Sequence, residues 1–310
     1  ILFHLIPMIF MKNVSIKDYL ALVRLPNLFT LPSNILVGMA TVSSLAFTLT
    51  SFSQFLLLVT ISVLLYCVGI VLNDLYDFDI DKKERPNRPL PSGKISRRSA
   101  IVLVAIFSTL ALILSLQVSF STLVISSILF SVIFGYDKYL KNTYAGPFTI
   151  ASARVMNILL GTSVSLRSVD SYSQIVTLTF ILIITFVYVS LIGFISRYEV
   201  HGFSDNTKLL LPPAIVATVI SSIILFTLMG FFKLESLIIL SLFSFIMIIS
   251  FSRIYRRDSG RTQQIVRNMI LSIIVLDSTF LTGIIGIELG LVVLTLMAPL
   301  LVLANKMYMT

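Results

Sequence analysis

The sequence predicts an all-α, polytopic transmembrane bundle of nine to ten helical spans. Three observations carry this fold class. Charged residues make up only 12% of the 310 residues while 57% are hydrophobic, with a mean hydropathy of +1.01; a soluble domain carries about 25% charged residues. Apolar runs of about 20 residues, the length that crosses a bilayer as a helix, recur along the chain. The basic residues alternate in a way that sets an orientation. Helices satisfy their own backbone in lipid, and the short alternating segments of a β-barrel are missing.

The expected spans cover residues 27–48, 54–75, 98–116, 118–136, 145–166, 174–196, 211–231, 234–251, 264–285 and 288–305. The last two are separated only by "GIIGIELG". No soluble domain, long linker or low-complexity tract interrupts them, so residues 1–310 read as a single integral membrane domain. With the N-terminus inside, 20 of the 23 Lys and Arg fall on inner connections. Arg167 and Lys233 fall outside and Arg154 within a span. The expectation is a multi-pass protein of a prokaryotic cell membrane, with both termini and the polar loops cytoplasmic. The same basic loops account for the net charge of +9 without nucleic acid. The first eleven residues are apolar but lack a basic n-region and a small-residue cleavage site, so they do not read as a signal peptide, and Met11 is a candidate start. The lone Cys67 excludes an internal disulfide.

Charge gathers in "VLNDLYDFDIDKKERPNRPLPSGKISRR", residues 71–98, where five acidic and seven basic side chains follow the second span. On a continuing helix Asn73, Asp77 and Asp81 form one polar column, since i, i+4 and i+8 share a face. Asp74 borders the column and Asp79 points elsewhere. Stacked carboxylates repel unless a cation holds them, and one or two carboxylates completed by phosphate oxygens are the usual Mg²⁺ donors. Arg85, Arg88 and Lys94 follow in "RPNRPLPSGK", a non-helical loop stiffened by proline. Guanidinium forks match phosphate oxygens in pairs. The residue types thus point to a metal-bridged diphosphate site at the mouth of a hydrocarbon interior.

"NDLYDFDIDKKERPNRPLPSG" resembles the first aspartate-rich motif of the UbiA superfamily of intramembrane prenyltransferases, N-D-x-x-D-x-x-x-D followed by R-P-x-R-P-x-x-S-G. "RLPNLFTLPSNILVG" is similar to the family's first span, and "YDKYLKNTYAGPFTIASARVMNILLG" to its fourth loop and fifth span. The resemblance implies a helical bundle around a central cavity for a lipid tail. It implies Mg²⁺-dependent transfer of a prenyl group from a prenyl diphosphate to a lipophilic acceptor, a transferase of alkyl or aryl groups other than methyl. By it Asn73, Asp74, Asp77 and Asp81 would hold Mg²⁺, with Asp77, Asp81 and Tyr136 as the catalytic residues and Tyr136 near the reacting carbon. Arg24, Asn73, Arg85, Arg88, Lys94 and Lys141 would hold the diphosphate end.

The family's second aspartate-rich motif is expected near residues 196–208, which read "SRYEVHGFSDNTK". Glu199 and Asp205 are carried over there as substrate-side residues, yet they are six apart and share no helical face. His201 is a poor Mg²⁺ ligand. The chain is similar to a family branch with such an altered loop, known from bacterial gene clusters associated with prenoid precursors. The altered loop keeps an alternative open: a non-catalytic relative that binds or helps translocate a prenyl lipid precursor. Within the spans Arg154 and Asn157 lie i, i+3, and Asp277 lies deep in the ninth. A charge inside a span is a functional candidate by default, and Asn157 is taken as substrate-binding.

Overall fold

The apolar runs form helices whose ends are set by individual residues. In the computed structural model, residues 16–42, 49–164, 171–197, 206–252 and 259–304 are described. Among them no strand occurs. The chain enters through α1 (Ile16–Leu22), a 3₁₀ segment (Leu25–Thr30) and α2 (Leu31–Val42). The 28-residue α3 (Leu49–Tyr76) is about 42 Å long at 1.5 Å per residue, more than a hydrocarbon core of about 30 Å. Its last turns therefore reach the charged end, where the short α4 (Phe78–Glu84) continues it.

The helices α5 (Arg97–Val118) and α6 (Phe120–Gly135) are joined by one extended residue, Ser119. Its N–H closes α5 on the Ser115 carbonyl, and its hydroxyl accepts from Thr122 N at 3.0 Å to start α6. One residue thus ends one span and caps the next. A π-helical turn (Tyr136–Leu140) follows, then α7 (Gly146–Thr162), whose first turn carries Pro147 where no N–H is needed. The remaining helices are α8 (Tyr172–Ser196), α9 (Asn206–Leu228), α10 (Ser236–Ser252), α11 (Ser259–Ile284), α12 (Ile287–Leu294) and α13 (Met297–Ala304). The last expected span, 288–305, is not continuous. Pro299 has no N–H and its ring crowds the carbonyl of Thr295, so the helix breaks there into α12 and α13.

Among the described residues six helices are long and apolar enough to cross a membrane, and the segments Asn27–Val42, Ser236–Ser252 and Ile287–Val302 are shorter apolar helices. The helices α5 and α6 lie at the periphery, and apolar side chains such as Phe120, Leu116 and Ile113 face outward, as lipid contact requires. In contrast, α2 and α11 form the centre. In α2 every residue but Pro32 is buried, and 83% of the apolar window of α11 is buried. The arrangement is that of an integral, multi-pass membrane protein.

Glycine lets α2 and α7 touch backbone to backbone. A Cβ at Gly38 would lie 2.0 Å from the Ile158 carbonyl oxygen, and one at Gly161 would lie 2.3 Å from that of Ile35. Both obstacles are backbone, so only separation of the helices relieves them. Gly38→Ala is expected to cost about 1–3 kcal/mol by overpacking. A lower midpoint in thermal unfolding of the detergent-solubilised protein checks this; an unchanged midpoint would contradict the close approach.

The two ends of the bundle differ. At one, Phe180 stacks on Phe226 with ring centroids 3.9 Å apart, and Phe232 packs on both. Beside them Lys233 binds the Ile285 carbonyl, and Glu235 accepts from Ile287 N at 3.0 Å. These contacts tie the α9–α10 turn to the α11–α12 turn. The other end carries the acidic and basic side chains of α3, α4 and the loop after them.

Candidate active site at the charged end of α3

The helical hydrogen-bond spacing runs on past the end of α3. Asp77 N donates to the Asn73 carbonyl at 2.9 Å, Asp81 N to Asp77 at 2.8 Å and Arg85 N to Asp81 at 2.8 Å. The backbone column expected from the sequence is therefore present. Its side chains do not form one file. The chain bends at Asp77 (φ −84°, ψ 3°), and the bend sorts the polar groups into two pairs. Asn73 and Asp77 face Lys141, while Asp81 joins Asp74. The single-column expectation, with Asp74 at its border, is corrected in this respect.

In the first pair, Lys141 Nζ donates to Asn73 Oδ1 at 2.7 Å and forms an ion pair with Asp77 Oδ2. Asn73 Nδ2 also donates to Asp77 Oδ2, at 3.2 Å. In the second pair both carboxylates are buried. Arg24 Nη2 lies 3.1 Å from Asp74 Oδ1, and Arg88 Nη1 lies 3.6 Å from the same oxygen and 2.6 Å from Asp81 Oδ2. Arg85 is more remote, 3.9 Å from Asp81 Oδ1, and half exposed. Each carboxylate of the motif is thus matched by a cation of the chain itself, as burial of charge demands.

Local structure fixes these cations. Pro86, Pro89 and Pro91 keep the loop after α4 from continuing as a helix. Its turns close through Arg88 N to the Arg85 carbonyl and Ser92 N to the Arg88 carbonyl, and Gly93 takes the left-handed conformation (φ 75°). Leu90 and Ile95 are buried in a cluster with Leu22, Val71 and Ala100, which anchors the loop on both sides of its tip. Arg24 precedes the 3₁₀ segment with φ 48° and ψ 58°. Among the described residues it is the one non-glycine at positive φ. A side chain in that region is strained and persists where its surroundings hold it.

Lys141 follows a π turn closed by its own N–H on the Tyr136 carbonyl at 2.9 Å. Such turns often mark functional positions. This one aims three residues at the carboxylates. Tyr136 lies within electrostatic reach of Asp77, Arg24 and Arg197. Asp137, which the sequence analysis did not single out, is buried and within reach of Lys141, Asp77 and Arg24. Its signal was present: an acid within the basic connection "YDKYLKNTY" gains nothing from topology. Arg197 at the end of α8 binds the Thr143 carbonyl and ties the turn down.

Two expected substrate-side residues stand apart. Lys94 is exposed and pairs with Asp18 of α1 at 3.4 Å. Asn157 is buried on α7, where its Oδ1 accepts from Ser62 of α3 at 2.5 Å. Glu199, His201 and Asp205 lie outside the described residues.

The donors fit Mg²⁺ in a particular way. Among the described residues no cluster of three or more His, Cys, Asp or Glu side chains forms a cage. The oxygens of Asn73, Asp74, Asp77 and Asp81 are hard donors in sets of two, and Mg²⁺ completes such sets with phosphate oxygens and water.

The UbiA prenyltransferase family model matches residues 31–274. The chain belongs to the UbiA prenyltransferase family. The match takes in both halves of the site described above except Arg24. A digeranylgeranylglyceryl phosphate synthase of Methanococcus aeolicus is 36% identical over 143 residues, covering 45% of this chain and 49% of the relative. The chain spans about half the length of the curated relatives it matches. Among solved structures, a UbiA homologue from Aeropyrum pernix K1 superposes with a TM-score of 0.66 at 16% identity, covering 86% of this chain and 97% of the other. A UbiA homologue from Archaeoglobus fulgidus bound to DMAPP and Mg²⁺ gives 0.52 at 15% identity, covering 93% and 99%. At these identities the structural likeness concerns the fold.

Proposed function

We propose that this UbiA-family protein transfers a prenyl group from a prenyl diphosphate to a lipophilic acceptor inside the membrane, with Mg²⁺ as cofactor. The observation that carries the reading is the matched set of side-chain oxygens and chain cations: buried Asp74 and Asp81 with Arg24 and Arg88, and half-buried Asn73 and Asp77 with Lys141. A diphosphate arriving with Mg²⁺ supplies both counter-charges at once. The amide oxygen of Asn73 and the carboxylates of Asp74, Asp77 and Asp81 would hold the metal, and the freed guanidinium and ammonium groups turn to phosphate oxygens. Bound there, Mg²⁺ would supply neutralisation of the leaving diphosphate.

The chain's own residues then act by electrostatic stabilisation. Arg24, Arg85, Arg88 and Lys141 hold the developing diphosphate charge as the allylic C–O bond breaks. Lys94 steers the anion toward the mouth. The acceptor's nucleophilic atom bonds to the allylic carbon and loses its proton. Tyr136 faces the reacting carbon and helps to exclude water from it. The prenyl tail runs into a cavity within the bundle. The relatives' name makes a glyceryl phosphate lipid the first acceptor to offer. The distribution of basic residues favours a cytoplasmic site with both termini inside. Glu199 and Asp205 are kept as substrate-side candidates on the family resemblance alone.

A second reading is a relative that binds or helps translocate a prenyl precursor without transferring it. The sequence "SRYEVHGFSDNTK" favours it, because the expected second acidic ladder is missing. Release of diphosphate from geranylgeranyl diphosphate by the purified protein separates the two. With a lipid-extract acceptor pool, transfer predicts Mg²⁺-dependent release and a labelled lipid product. Donor binding without release would support the second reading, and no binding would sink both.

A further inference from the structure

Among the described residues, Arg154 and Asp277 are ionisable groups of opposite charge type inside the bundle away from the site. Arg154 sits in the middle of α7, and Asp277 sits deep in the central α11 and is buried. Charges on membrane-spanning helices are costly, so their contacts call for a reason. Both converge on the short stretch from Thr30 to Asn34. Arg154 Nη2 donates to the Thr30 carbonyl at 2.9 Å and Nη1 to Thr30 Oγ1 at 3.1 Å. On the other side, Ser33 Oγ and Asn34 Nδ2 donate to Asp277 Oδ2 at 2.6 and 2.7 Å, and the Ser33 hydroxyl also sits 3.0 Å from the Thr30 carbonyl. Thr30 is the last residue of the 3₁₀ segment, and Ser33 and Asn34 open α2.

From Thr30 the hydrogen bonds run toward the site without a gap. Thr30 Oγ1 donates to the Asn27 carbonyl at 2.8 Å, and Asn27 N donates to the Arg24 carbonyl at 3.1 Å. Arg24 then reaches Asp74 at 3.1 Å. Arg24 is also the residue with the strained left-handed backbone. A strained residue needs surroundings that over-determine it. A 3₁₀ segment of six residues has weak hydrogen bonds of its own and does not provide that.

We propose that Arg154 and Asp277 are positioning residues: Arg154 grips the end of the 3₁₀ segment from α7 and Asp277 grips the first turn of α2 from α11, so that Arg24 keeps its strained backbone and presents its guanidinium to Asp74 and the incoming diphosphate. The inference rests on the prenyl diphosphate reading. It assigns the intramembrane charges a role that needs no contact with substrate. It also makes donor binding depend on the packing of α2 against α7 and α11.

The test is a double-mutant cycle on binding, read by calorimetry with methylene diphosphonate and Mg²⁺ on the detergent-solubilised full chain. Arg154→Gln should weaken binding by about threefold to tenfold, the range for coupling through packed networks. On an Arg24→Gln background the same change should weaken it no further, because its effect passes through Arg24. Independent losses that multiply would overturn the proposal, as would an Arg154→Gln protein that binds like wild type. Thr30→Val removes the Oγ1 link yet leaves both charges in place, and it should show the same dependence on Arg24 at smaller size. It keeps the cycle decisive if Arg154→Gln does not fold. A wild-type protein that fails to bind the probe would instead sink the diphosphate reading, and this inference with it.

Discussion

Asp77→Asn lowers Mg²⁺-dependent diphosphate release by about 100- to 1000-fold, the size expected when one preorganised electrostatic group is lost from a reacting centre. The change is nearly isosteric, so its effect lies in charge. In the wild-type protein Asp77 Oδ2 is shared by Lys141 Nζ and Asn73 Nδ2. An amide at 77 still accepts from Lys141, and buried Asp137 remains within that cation's reach. The fold should therefore hold, with a thermal midpoint in the absence of Mg²⁺ close to that of wild type. The site, however, loses one of the anionic oxygens that draw Mg²⁺. Release measured at saturating donor, beside the midpoint, checks both halves. Release at the wild-type rate would exclude Asp77 from the chemistry.

Arg88→Gln should act in two directions. Arg88 lies between the buried carboxylates of Asp74 and Asp81, 3.6 and 2.6 Å away. Without it, Asp74 keeps Arg24, and Asp81 keeps only the more distant and half-exposed Arg85. Breaking a buried pair by removing one partner costs about 3–5 kcal/mol. The variant should accordingly unfold at a lower temperature in chelator. It should then regain more stability from millimolar Mg²⁺ than wild type does, because the metal finds carboxylates no longer occupied by a guanidinium. Diphosphate release should still fall, since a phosphate contact is gone. Equal stabilisation of both proteins by Mg²⁺ would argue against metal binding at Asp74 and Asp81.

The order of these elements was legible because bilayer and helix impose one-dimensional rules. Length and hydropathy marked the spans, and "NDLYDFDIDKKERPNRPLPSG" marked the candidate site by its charge pattern and its resemblance to the family motif. The break at Thr295 was also legible in principle, from Pro299, but an apolar run of span length masked it. Asp137 was overlooked because one acid among cations reads as a solvated loop until a π turn is seen to fold it inward.

By itself, the sequence determined a helical membrane protein, which follows from transfer into lipid, and its motifs marked the resemblance to the UbiA family and the candidate donors of the first motif. Only the tertiary structure decided which cation meets which carboxylate. The bend at Asp77 sends Asp81 to Asp74, and Arg24 arrives from 50 residues away. It alone decided what Arg154 and Asp277 touch, through contacts spanning 124 and 244 residues of chain. Such pairings depend on the rotation of each helix about its axis, which the packing of α2, α7 and α11 fixes and no local pattern encodes.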